Sequence, residues 1–156
     1  MRRKTRSVKV GNLEIGGNAP ISVQSMTNTE TKNISDTVSQ IKRMEKEGCE
    51  LVRVAIPDLE SCYSLPLIKK VINIPLVADI HYDYKLALKS IECGVDGLRI
   101  NPGNIGNNEK IKLVIKSAKK INLPIRFGIN SGSLDKNILK KYKKVTPQAL
   151  VESAVN

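Results

Sequence analysis

Five short β-branched runs, each followed by a polar loop and an amphipathic stretch, recur along the chain and restrict it to a parallel β/α architecture. The runs begin near residues 21, 51, 75, 97 and 125, so successive starts lie 30, 24, 22 and 28 residues apart. Repeats of that length cross over right-handed and lay their strands side by side in parallel. The first unit is expected to be a strand over Ile21–Gln24. Its helix runs from Asp36 to Glu47, with Val38, Ile41 and Met44 on one face and Gly48 as its stop. Leu51–Ala55 and a helix from beyond Pro57-Asp58 to Ile72 form the second unit. Pro75–Ile80 and a helix over Tyr84–Cys93, capped by Asp83, form the third. Gly97–Asn101, a loop and a helix over Asn108–Ile121 form the fourth, with Ile111, Val114, Ile115 and Ala118 as the apolar stripe. The fifth has a strand over Pro124–Asn130, a loop, a short helix near Leu134–Tyr142 and a further helix opening at Thr146-Pro147. Ahead of them, Val8–Ile15 alternates around Gly11-Asn12 and reads as a hairpin.

Two architectures use such units, an open doubly wound sheet and an eight-stranded (β/α) barrel. No G-x-G-x-x-G follows the first strand, which weakens the dinucleotide-binding version of the open sheet. A complete barrel takes about 250 residues, and 156 residues with five units fall short of it. A parallel sheet left unclosed exposes an edge that folded proteins avoid. The expectation is therefore a TIM-type barrel interrupted before closure, with residues 1–156 as its amino-terminal portion.

Composition removes other classes. Apolar residues make up 40% of the chain, enough for a packed core. No apolar run approaches the length of a membrane span, and no apolar segment follows the basic start Met1–Arg6, so no secretory signal is read and the cytoplasm is expected. Cys49, Cys62 and Cys93 are odd in number and His81 is the single histidine, which argues against a disulfide framework and a zinc site. The cysteines read as buried thiols near helix–strand junctions. The net charge of +11 raises the question of nucleic acid. Its excess lies in the tail (Arg2, Arg3, Lys4, Arg6, Lys9) and in the runs Lys110–Lys120 and Lys136–Lys144. Both runs are interleaved with Ile, Leu or Val and read as solvated helix faces, and no repeated aromatic pattern accompanies them, so nucleic-acid binding is not the expected role.

The polar residues at the strands' carboxyl ends carry the functional signal. Strands buried on both faces should be nearly all apolar, yet the second holds Arg53, the third ends in Asp79 with His81 two residues on, the fourth holds Arg99 and Asn101, and the fifth holds Arg126 and Asn130. Alternation turns each pair to one face. If the apolar face meets the helices, the three arginines converge in the lumen with two asparagines, an aspartate and a histidine. A single arginine there would be read as an internal ion pair. Three cannot all be neutralised within this set, and burying an unpaired guanidinium costs several kcal/mol, so an anionic ligand is expected. The planar fork of arginine suits phosphate oxygens. The Gly/Asn segments 101–106 and 130–133, read as loops, would let backbone N–H groups approach such a ligand. Gln24–Thr29 reads equally as a lumen-facing loop or a connection.

Val23–Thr29, Leu76–His81, Leu98–Gly106 and Pro124–Arg126, in that order, resemble the 4-hydroxy-3-methylbut-2-enyl diphosphate synthases of the non-mevalonate isoprenoid pathway. The likeness runs from Arg3 to Asn156. It implies a (β/α)-barrel oxidoreductase that reductively opens 2-C-methyl-D-erythritol 2,4-cyclodiphosphate, taking electrons from flavodoxin or ferredoxin through a [4Fe–4S] cluster. By motif, the diphosphate falls on Arg53, Arg99, Asn101, Arg126 and Asn130, with Asp79 and His81 near the substrate. The family's cluster ligands belong to a carboxyl-terminal domain that this sequence does not contain, and its three cysteines do not match them. Homodimers are implied, in which one subunit's cluster domain covers the other's barrel. This 156-residue chain is expected to be inactive by itself. Where the family often carries glycine, this chain has Lys143, which bears on a loop conformation. A barrel of the dihydropteroate synthase type, taking a pterin, is the alternative, against which three strand-end arginines favour a doubly phosphorylated ligand. A basic nucleic-acid-binding module is the third reading.

Overall fold

In a computed structural model that describes residues 3–106, 108–134 and 136–155, the strand–helix alternation forms one curved parallel sheet with helices on its outer face. Arg2, expected in the basic tail, and Asn156, expected to end the last helix, lie outside the described residues. A hairpin of β1 (Ser7–Val10) and β2 (Leu13–Gly16) precedes the sheet, with Val10 opposite Leu13. The sheet order is β3 (Gln24–Met26), β4 (Leu51–Ala55), β5 (Leu76–Ile80), β6 (Gly97–Ile100) and β7 (Ile125–Phe127). All four neighbouring pairs are parallel, and β3 and β7 are its two edges, so the barrel is not closed.

The helices start where short polar side chains accept the first free N–H groups. Asn33 caps α1 (Ile34–Lys46), Asp58 caps α2 (Leu59–Lys69) and Asp83 caps α3 (Tyr84–Glu92). After Asn101 comes a single turn, α4 (Pro102–Ile105), then α5 (Asn108–Lys120). Beyond β7 come a 3-10 turn at Ser131–Ser133, α6 (Lys136–Tyr142) and α7 (Pro147–Val155), the last capped by the Thr146 hydroxyl, which accepts the Ala149 N–H at 3.1 Å. Gly48 and Gly94 follow α1 and α3 at φ +89° and +78°, a left-handed exit that a side chain resists.

Alternation along the strands separates two environments. Val52, Val54, Leu76, Ala78, Ile80, Leu98 and Ile100 face the helices and pack against Ile41, Leu65, Ile68, Ala87 and Val114. Each large side chain there is worth about 1.5–3 kcal/mol of burial. On the other face, Leu51 and Val77 meet Val10 of the hairpin, with Leu13 and Ile15 partly buried beside them, so the hairpin plugs the lumen at the strands' amino ends. The lysines of α5 are exposed, as a solvated helix face requires. No helix among the described residues is long and apolar enough to cross a membrane.

Four expectations need correction. The first strand is Gln24–Met26, not Ile21–Gln24: Ile21 is 81% exposed, and pairing begins with Gln24 opposite Leu51. The last strand stops at Phe127. The segment 101–106, read as a loop, carries the one-turn α4, because Asn101 caps it and Pro102 suits a first turn. Ile115, placed on the buried stripe of α5, is exposed, whereas Val114 and Ala118 are buried.

Candidate functional site

Strand register places the polar residues before any side chain is considered. Asp79 of β5 pairs with Arg99 of β6, and Arg99 pairs with Arg126 of β7, so the three occupy one row across the sheet. Arg53 of β4 lies in the adjacent row, opposite Met26 of β3 and Val77 of β5. Parallel partners share a face, so these side chains enter the lumen at the strands' carboxyl ends.

Asp79 is the hub. It is 2% exposed. Its Oδ2 forms an ion pair with Arg53 Nε at 3.1 Å, and its Oδ1 accepts Arg99 Nη1 at 3.0 Å. His81 Nε2 lies 3.5 Å from the same Oδ1, on a half-exposed ring just past β5. Arg53 also lies against the Met26 sulfur, with Nε and Nη2 at 3.4 and 3.3 Å. Arg126 takes a different partner: its Nη1 donates to Gln24 Oε1 at 3.1 Å. That bond joins the two edge strands across the lumen, a measure of how strongly the sheet curves. Three guanidiniums and one carboxylate sum to two positive charges at the mouth.

Gly128 shapes this arrangement. A Cβ built on it would fall 2.6 Å from both Nε and Nη2 of Arg99, so the guanidinium occupies space that only glycine leaves open. Beneath the charged groups lies a cavity of about 350 Å³ with an apolar floor that includes Val10, Leu51 and Val77, and a rim of Gln24, Arg53 and Arg126. The arrangement offers forked donors to an anion and an apolar surface to whatever carries it.

Of the residues singled out from sequence, Arg53, Asp79, His81 and Arg99 are thus brought together, and Arg126 reaches the same lumen from the far edge. Asn101 is fully buried, and its Oδ1 accepts the Gly103 N–H at 3.1 Å, so that oxygen serves the cap of α4. Asn130 is exposed three residues beyond β7, outside strand alternation. Sequence reasoning left Gln24 and Met26 in a loop of open role. The signal available was their two-residue spacing, the same period that linked the arginine pairs.

A curved parallel sheet with helices outside and polar groups at its carboxyl mouth defines a protein of the TIM-barrel class. Dihydropteroate synthases share that shape: the crystal structure of the Yersinia pestis enzyme superposes with a TM-score of 0.61 over 96% of this chain and 57% of that one. At 12% identity, this likeness concerns fold alone. The sequence model of the GcpE TIM-barrel domain matches residues 5–156, and the chain belongs to that family. The 4-hydroxy-3-methylbut-2-en-1-yl diphosphate synthase (flavodoxin) of Caldanaerobacter subterraneus subsp. tengcongensis is 61% identical over 99% of this chain and 44% of its own length. That of Caldicellulosiruptor saccharolyticus is 59% identical over 97% of this chain and 44% of its own. The chain spans less than half the length of these curated relatives.

The described residues do not fit an iron–sulfur cluster. Cys49 and Cys62 are buried, with sulfurs turned toward the carbonyls of Leu51 at 3.2 Å and Leu86 at 3.7 Å. Burial pushes the Cys62 and Cys93 thiols up, away from the thiolate that binds iron. No group of three or more His, Cys, Asp or Glu among the described residues could hold a metal ion.

Proposed function

We propose that this chain supplies the diphosphate-gripping part of the barrel in a 4-hydroxy-3-methylbut-2-enyl diphosphate synthase, with residues 1–156 forming its amino-terminal portion. The observation that carries the reading is the lumen mouth, where Arg53 and Arg99 share Asp79 and Arg126 is held by a neutral amide. Two uncompensated positive charges on forked donors suit two linked phosphates. Asp79 holds Arg53 and Arg99 at the mouth. The apolar floor of Val10, Leu51 and Val77 suits the carbon skeleton of a small cyclic diphosphate. Asn101 supports the mouth by capping α4, His81 stands beside Asp79, and Asn130 is assigned to the ligand by the family motif alone.

The whole enzyme would open 2-C-methyl-D-erythritol 2,4-cyclodiphosphate reductively as a cytoplasmic homodimer, with flavodoxin or ferredoxin as electron donor. The relatives' names support the diphosphate synthase activity and flavodoxin as the donor. Its iron–sulfur domain would come from outside the described residues. Further β/α units would pair with the free edges β3 and β7, where Ile21, Val23 and Phe127 are exposed at 81%, 54% and 47%. The chain by itself would bind the cyclodiphosphate weakly at best and would not turn it over. Anaerobic turnover by this polypeptide alone with reduced flavodoxin would refute that part.

The binding claim is tested by titration calorimetry with inorganic pyrophosphate. Arg126→Met is the informative variant, because Arg126 is exposed and bonded to a neutral partner, so its loss leaves no buried charge unpaired. The expected result is affinity at least tenfold weaker at an unchanged melting temperature. Equal affinity in both proteins would overturn the reading.

A further inference from the structure

Edge strand β3 sends two uncharged side chains to the mouth, and each meets one guanidinium. Gln24 Oε1 accepts Arg126 Nη1 at 3.1 Å, and the Met26 sulfur lies 3.3 Å from Arg53 Nη2. No carboxylate among the described residues pairs with Arg126, whereas Arg53 and Arg99 both meet Asp79. The chemistry of the partner decides what Arg126 can do. A glutamate in place of Gln24 would hold the fork as firmly but cancel its charge. An aliphatic residue would preserve the charge but release a long side chain that must be ordered again on binding. A neutral acceptor is the one choice that orients the fork and leaves its charge for an incoming anion.

We infer that Gln24 is a positioning residue: it fixes Arg126 across the lumen while keeping the mouth two charges positive, and so sets the affinity for a doubly charged phosphate ligand. The inference rests on the reading of the mouth given above. Its contribution is indirect, through Arg126, which distinguishes it from the groups that touch the ligand.

The test is pyrophosphate titration of the 156-residue chain, the variants Gln24→Glu, Gln24→Leu and Arg126→Met, and the double variant Gln24→Leu/Arg126→Met, with melting temperatures measured alongside. Gln24→Glu is expected to weaken binding at least tenfold while melting at or above the parent temperature, since it gains an ion pair. Gln24→Leu is expected to weaken binding severalfold, less than Gln24→Glu. A structural role alone would make affinity follow melting temperature instead. In the Arg126→Met background, Gln24→Leu is expected to add little, because its effect passes through the missing guanidinium. If the parent chain fails to bind, or Arg126→Met binds as well as the parent, the reading of the mouth fails. If Arg126→Met is weakened but Gln24→Glu binds like the parent, or the loss caused by Gln24→Leu is undiminished in the double variant, the positioning role is overturned and the reading of the mouth stands. Should Gln24→Glu fail to fold, Gln24→Leu decides: affinity equal to the parent overturns the role.

Discussion

Replacing Asp79 by asparagine keeps the shape of the hub and removes its charge. In the parent, one carboxylate at 2% exposure faces Arg53 at 3.1 Å and Arg99 at 3.0 Å. Each pair is worth about 4 kcal/mol of gross attraction if its charge centres lie near 4 Å in a medium of effective dielectric 20. Much of this is offset by the several kcal/mol needed to desolvate the carboxylate. Removing one partner of a buried pair costs about 3–5 kcal/mol, because the other charge is left without compensation. Here the arginine side chains retain 22% and 17% exposure, so water relieves part of the penalty. A loss of about 3 kcal/mol is expected at the low end of that range, and at about 2–4 °C per kcal/mol the melting temperature falls by about 6–12 °C. The assay is thermal unfolding followed by circular dichroism in phosphate-free buffer, with and without pyrophosphate. Pyrophosphate should raise the melting temperature of Asp79→Asn more than that of the parent, since it supplies the missing negative charge. A variant melting within about 2 °C of the parent, at a scale where 1 kcal/mol is worth that much, would refute the reasoning.

Three further outcomes follow from individual contacts. Gly128→Ala should push the Arg99 guanidinium off its seat, since a Cβ would fall 2.6 Å from it, and pyrophosphate titration should show severalfold weaker binding with little change in melting temperature. Lys143 holds φ +60°, and its N–H donates to the Leu139 carbonyl at 2.8 Å, so it ends α6 in a left-handed conformation. Lys143→Gly should therefore stabilise the chain by about 1 kcal/mol, read as a higher denaturant midpoint at constant slope. The Ser61 backbone N–H donated to Asp58 holds that carboxyl below the usual range. The unfolded chain therefore takes up this proton first, and the stability contributed by the cap is present above about pH 4 and lost as pH falls through the lower folded value. Asp58→Asn should flatten that part of the acid unfolding curve.

How much of this was legible in the sequence follows from which residues act locally. Leu51–Ala55 was read at its observed bounds because the strand lies between two others, and its alternation reports both environments. Asp83 was read as a cap because the cap bond spans two residues. Edge strands were misplaced at both ends of the sheet. At β3, the β-branched Ile21 and Val23 suggested a strand that pairing with β4 does not extend to. At β7, Gly128 still donates to the Ile100 carbonyl, but the run turns away after Phe127. The convergence of Arg53, Arg99 and Asp79 could be read because residues in register on adjacent strands are neighbours. The Arg126–Gln24 bond could not, because it joins residues 102 apart in sequence and depends on the curvature of the whole sheet. The glycine that the resemblance leads one to expect at position 143 would have a physical reason in the φ of Lys143.

The most direct test of the central claim is a side-chain NMR titration that follows the Nε–H resonances of the arginines while pyrophosphate is added. Arg53, Arg99 and Arg126 should shift together along one saturable curve, with Arg43 on the solvated α1 unmoved. Shifts confined to Arg3 and Arg6 of the tail, or none at all, would contradict it.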